Sequence, residues 1–113
     1  MSTIRQLASK QLEAYNASDL DAFVACYHAT VQVYEAGELV CEGHEAFRAS
    51  YLRLFTTMEF GATVSERMGN ASHCIDLEDY WRIDPDTQER TEGTILVHYT
   101  EKEGLIGMVR FWR

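Results

Sequence analysis

The chain has 113 residues, 46% hydrophobic and 12% aromatic with a single proline, which suits one domain over residues 1–113 and excludes a two-domain enzyme. Ten Lys and Arg against 18 Asp and Glu leave a formal charge of -8, so the basic footprint that nucleic-acid binding requires is missing. The same field disfavours acidic lipid surfaces and highly anionic substrates, although a local pocket can differ from the whole; a small, mostly apolar molecule is the partner expected.

The first third of the sequence reads as helix. Thr3 and Gln6 have capping-box spacing, and Ile4, Leu7, Ala8, Leu12 and Tyr15 follow at helical intervals to about Asn16. Ser18 and Asp21 repeat the signal before Leu20, Phe23, Val24 and Tyr27, predicting a second short helix. Val31 to Ala36 alternates as a strand, and Gly37 to Gly43 reads as a loop or irregular hairpin. A third helix is expected from about His44 to Phe55, with Phe47, Tyr51, Leu54 and Phe55 on one stripe. The period then switches to two, giving strands near residues 61–69, 72–83, 91–101 and 105–113. The turns fall at Gly69-Asn70, Pro85 to Gln88 and Lys102 to Gly104.

An antiparallel sheet of this size must be covered on one face, and the helices are the elements available to cover it. The fold class expected is therefore α+β, with a curved antiparallel sheet wrapped around three N-terminal helices. On the last strand Leu105, Val109 and Phe111 alternate with Ile106, Met108 and Trp112, so both faces are apolar. One face belongs to the core; the other predicts a homodimer through the outer sheet face.

Cys26, Cys41 and Cys74 are odd in number and form no CxxC pair, which fits buried small side chains in a reducing, cytoplasmic setting. No apolar run approaches membrane-spanning length, and no secretory pattern opens the chain. His28, His44, His73 and His98 lack metal-ligand spacing, so no metal site is expected. GxGxxG, P-loop and GxSxG motifs are absent too, so no cofactor is expected.

Candidate functional groups are polar residues on faces that the pattern makes apolar, because burying them unpaired is costly. Gln11 sits in the apolar stripe of the first helix, either satisfied by backbone groups or aimed into a cavity. Glu35 shares a strand face with Val31 and Val33; inside, it would be a desolvated general base, and at a frayed strand end a solvated acid. Asp79 interrupts Ile75, Leu77, Trp81 and Ile83, either as a buried acid or at a bulge that turns it to water. Tyr15, Tyr27 and Tyr51 fall on the helix stripes, where a buried phenol needs a partner.

The order helix, helix, strand, helix and four-strand meander resembles the nuclear transport factor 2-like (NTF2-like) superfamily. That group shares a cone-shaped, cystatin-like α+β fold and includes ketosteroid isomerase and the SnoaL-like polyketide cyclases. Tyr15 to Phe23 is similar to its hinge between the first two helices, Gly43 to Phe47 to its entry into the third, and Glu103 to Ile106 to its closing turn. The resemblance covers nearly the whole chain and is specific to the fold rather than to a reaction. It implies that Glu35 falls where ketosteroid isomerase has its aspartate base, with Tyr51 and Tyr27 on hydrogen-bond network positions. It also implies that the isomerase oxyanion pair is replaced by Gln11 and Leu96, which weakens enolate stabilisation. His98, on the strand face of Leu96, is the candidate replacement donor. Two functions follow: a pocket for a small carbonyl compound with Glu35 as general base and Gln11, Tyr15, Tyr27, Tyr51, Asp79 and His98 as binding residues, or a non-catalytic ligand-binding or dimeric interaction module.

Overall fold

A computed structural model describes residues 3–113. Its first helix, α1 (Ile4–Asn16), opens with the predicted capping box: the Thr3 hydroxyl accepts from Gln6 N at 3.1 Å, and Thr3 N donates to the Gln6 side chain at 2.8 Å. Asn16 closes the helix by bonding both backbone groups of Ala62, at 2.9 Å each, which fixes α1 against the sheet. The second helix, α2 (Leu20–Val24), is capped by Asp19 rather than Ser18: Asp19 Oδ1 accepts from Ala22 N. Ser18 instead takes the left-handed hinge conformation, φ 55°. The helix also ends before Tyr27, which begins a strand.

That strand, β1 (Tyr27–Glu35), starts four residues before the predicted Val31 and pairs with β2 (Glu38–Glu42), so most of the segment read as a loop is a hairpin arm. Ala36 and Gly37, both with positive φ, make its two-residue turn; an alanine in that role hid the hairpin from sequence. Next, α3 (His44–Thr57) enters from Gly43 at φ 92° and runs two residues past the predicted end. The meander follows as β3 (Glu59–Gly69), β4 (His73–Ile83), β5 (Arg90–Lys102) and β6 (Leu105–Trp112), close to its predicted bounds.

These strands form one six-stranded sheet in the order β2-β1-β6-β5-β4-β3. It is mixed rather than wholly antiparallel: β1 runs parallel to β6 while the other pairs are antiparallel. The long connection through α3 and the meander permits this, since only antiparallel neighbours can be joined by a tight turn. The helices cover one sheet face with Ile4, Leu7, Ala8, Phe23, Phe47 and Leu54, against Val31, Val97, Ile106 and Val109 from the strands. Phe23 is central, its ring 5.7 Å from Phe47, 5.0 Å from Tyr51 and 5.1 Å from Phe55.

Two strands depart from the predicted faces. In β6 the β5 register skips from Thr100↔Met108 to Glu101↔Ile106, so Gly107 is an extra residue that flips Ile106 inward beside Val109. In β4 the ladder with β5 is unbroken from His73 to Ile83, so strict alternation holds. The inward residues are Cys74, Asp76, Glu78, Tyr80 and Arg82, and the apolar set Ile75, Leu77, Trp81 and Ile83 faces away from the helices.

Candidate functional site

Between the helices and the sheet lies a cavity of about 330 Å³, walled by aromatic and aliphatic side chains of α1, α2, α3 and the inward strand faces. Gln11, Tyr15, Tyr27, Tyr51 and Glu35 all line it. Gln11 is buried, and both its amide donors and its oxygen have partners. Its nitrogen donates to Ala8 O at 3.0 Å and to the Tyr99 hydroxyl at 2.9 Å, while its oxygen accepts from the Tyr27 hydroxyl at 2.9 Å. Of the two readings open from sequence, the satisfied one holds: Gln11 clamps two tyrosines. Burial raises the pKa values of Tyr27, Tyr51 and Tyr99, keeping these phenols neutral hydrogen-bond donors at working pH. Burial also raises Tyr15, opposed by the neighbouring Arg82.

Glu35 is not desolvated. It sits at the cavity rim, its side chain 47% exposed, and pairs with Arg113 at 3.1 Å. Strand pairing ends at this residue, so the row of Val31 and Val33 does not carry it into the core. Arg113 also reaches the Tyr80 hydroxyl at 3.5 Å, so the guanidinium links β1 and β4.

Asp79 and His98 point away from the cavity. Asp79 is exposed because it has the parity of Ile75 and Trp81 on an unbroken strand; no bulge is needed to turn it to water. On β5 the inward residues are Ile95, Val97 and Tyr99, so Leu96, 43% exposed, and His98 occupy the outer face. The His98 ring nitrogen lies 2.9 Å from that of His73, which excludes His98 as a donor into the cavity.

The carboxylate set deeper in the cavity lining is Glu78. It lies on the inward face of β4, forms no ion pair among the described residues, and has its pKa raised to about 7, chiefly by burial and then by the negative charge of Asp76, with Arg67 opposing. Asp76, fully buried two residues earlier, is clamped by Arg67 through Nε–Oδ1 at 2.6 Å and a second nitrogen to Oδ2 at 2.9 Å. Tyr80 lies across Gly93, whose hydrogen is required: a Cβ there would come within 2.7 Å of the Tyr80 hydroxyl oxygen. Glu78, Tyr80 and Arg82 escape a sequence reading because on β4 the apolar row is the outer one; Tyr99 belongs to the apolar inner row of β5, where nothing in the pattern marks it as functional. The doubly apolar β6 was the available warning that the outer face is apolar as well.

This geometry defines a class: a cone of sheet and helix around an aromatic cavity that holds one half-buried carboxylate with no ion-pair partner among the described residues. Solved structures share the fold. An uncharacterised cystatin-fold protein from Novosphingobium aromaticivorans superposes with a TM-score of 0.90 at 20% identity over all of both chains. A protein described as a SnoaL-like polyketide cyclase from Mesorhizobium loti gives 0.76 at 25% identity, over 99% of this chain and 100% of its own. The Mycobacterium tuberculosis protein RV0760c, in complex with estradiol-17beta-hemisuccinate, gives 0.84 at 16%, over 95% and 90%. The fold is thus the NTF2-like fold of the SnoaL-like and ketosteroid isomerase-like proteins, as the element order implied. No family model and no curated protein matches the sequence.

Proposed function

We propose that the cavity binds a small, mostly apolar carbonyl compound and that Glu78 exchanges a proton with the carbon next to the carbonyl. The observation that carries this reading is the position of Glu78, half-buried in an aromatic cavity with no cation paired to it among the described residues. A carboxylate with a pKa of about 7 is both substantially ionised and basic enough to take a proton at neutral pH. As the proton leaves carbon, charge develops on the carbonyl oxygen. Tyr99 accepts from Gln11, which leaves its own proton to donate to that oxygen. Glu35 passes in this reading from general base to rim acid, steadying the entrance with Arg113. The steroid ester bound by RV0760c supports a ligand with an apolar ring system.

The test is deuterium wash-in from heavy water into a fused-ring ketone such as 2-decalone, followed by NMR. The native chain accelerates exchange, Glu78→Gln abolishes that acceleration, and Glu35→Gln retains most of it. Equal exchange by native protein and Glu78→Gln would remove Glu78 as the base.

A second reading, a non-catalytic binding module, is favoured by one observation: both N–H donors of the Gln11 amide are taken by Ala8 and Tyr99, so it has no donor free for a ligand carbonyl. Ketone binding without wash-in would select it. In either reading the outer face bearing Leu96, Trp112 and Met68, each at least 43% exposed, is assigned to a homodimer. The free cysteines Cys26, Cys41 and Cys74 fit the cytoplasm.

A further inference from the structure

We propose that the ligand of this cavity carries a carboxylate and that Arg82 holds it. This rests on the preceding reading of the cavity as a small-molecule site and specifies its ligand as an apolar body with one acidic group. Arg82 lines the cavity from the same face of β4 as Glu78, four residues on. Its Nε is buried and has no hydrogen-bond acceptor among the described residues.

Four of the other seven arginines find an acid among the described residues. Arg48 pairs with Asp21, Arg67 with Asp76, Arg90 with Glu92 and Arg113 with Glu35. With 18 acidic residues available, Arg82 has none in ion-pair range among the described residues, although burial makes a missing partner most costly there. Its guanidinium carbon lies 5.7 Å from the centre of the Tyr80 ring, which steadies the planar group without supplying an acceptor. A guanidinium held this way presents parallel N–H donors that match a carboxylate.

The cavity also sets the charge of the ligand. Its other arginine, Arg113, is engaged by Glu35 and Tyr80, and Glu78 supplies negative charge when ionised. A guanidinium that neighbours the Tyr15 phenol but pairs with no acid among the described residues matches a monoanion and not a phosphate dianion. The separation matters too: four strand residues are about 13 Å of backbone, so the acid group and the carbon that faces Glu78 lie at opposite ends of the ligand. A bound carboxylate raises the proton affinity of Glu78, so the ligand binds with proton uptake and more tightly at pH 6 than at pH 8.

The experiment compares 2-naphthaleneacetate with its methyl ester by calorimetry at pH 6 and pH 8, following Tyr27 and Tyr51 resonances to locate the ligand. The native protein is expected to prefer the acid by about tenfold or more, as a charge-assisted hydrogen bond provides. Arg82→Met removes the preference while still binding the ester, and Arg82→Lys keeps part of it. The native acid-to-ester ratio needs no variant, so it stands even if Arg82→Met does not fold. Equal affinity of acid and ester in the cavity overturns the Arg82 assignment and leaves the cavity reading intact. Binding of neither, or binding that leaves the tyrosine resonances unmoved, overturns both.

Discussion

Asp76 and Glu78 stand two residues apart on the inward face of β4, but Asp76 is clamped by Arg67 at 2.6 and 2.9 Å, and Glu78 has no cation partner among the described residues. Asp76 is thereby a structural ion pair. Its negative charge then adds to burial in holding the Glu78 proton, so a structural pair tunes a chemical group beside it.

Stability should depend on pH through Glu78. Its folded pKa, about 7, lies above the ordinary 4.5, so the protonated form favours folding: the contribution is full below 4.5 and is lost as pH rises toward 7. A shift of this size corresponds to about 3 kcal/mol. Glu78→Gln, which is always neutral, should therefore raise the melting temperature relative to the native chain at pH 8 and change it little at pH 4.5, as calorimetry at the two pH values would show.

Asp76→Asn should be strongly destabilising, by about 3 kcal/mol, because it leaves Arg67 without its carboxylate in a site only 19% exposed. It should also move the Glu78 midpoint down, since a repelling charge is removed and Arg67 is released to attract. Urea denaturation checks the first effect and carboxyl NMR the second; an unchanged Glu78 midpoint would contradict the coupling.

Gln11→Leu should cost about 2 kcal/mol by leaving the Tyr27 and Tyr99 hydroxyls without their shared partner. Adding Tyr27→Phe should then cost less than the same change in the native background, because its lone bond is already gone. Additive losses in a double-mutant cycle by urea denaturation would show that Gln11 does not clamp Tyr27.

Trp112→Lys or Leu96→Lys places a charge on the outer sheet face, away from the cavity. Sedimentation should give roughly twice the chain mass for the native protein at micromolar concentration and a monomer for the variants, with ligand binding retained. A native monomer would contradict the interface.

Sequence patterning located the helices and the meander because the helical stripe and the strand period are local. The capping box at Thr3 and Gln6 needed only neighbouring residues, and Gln11 and the helix tyrosines followed from the stripe. What failed was sidedness. Period two shows that Ile75, Leu77 and Trp81 share a face, but which face meets the helices depends on partners far along the chain, and in β4 the polar row is the inner one. That inversion turns Asp79 outward and hides Glu78 and Arg82, whereas His98 goes with Leu96, which the resemblance pointed inward and the β5 register puts on the outer face. Glu35 lies at the cavity rim rather than inside for another reason: an apolar row does not show where its strand leaves the core. The Gly107 bulge that turns Ile106 inward is likewise a register property of two strands.

The central claim is that Glu78 holds a proton near neutrality inside the cavity. Carboxyl ¹³C NMR of the glutamate-labelled protein, with the Glu78 signal assigned by its absence in Glu78→Gln, measures this directly. The account predicts a midpoint near 7. A midpoint in the ordinary glutamate range, near 4.5, would contradict it.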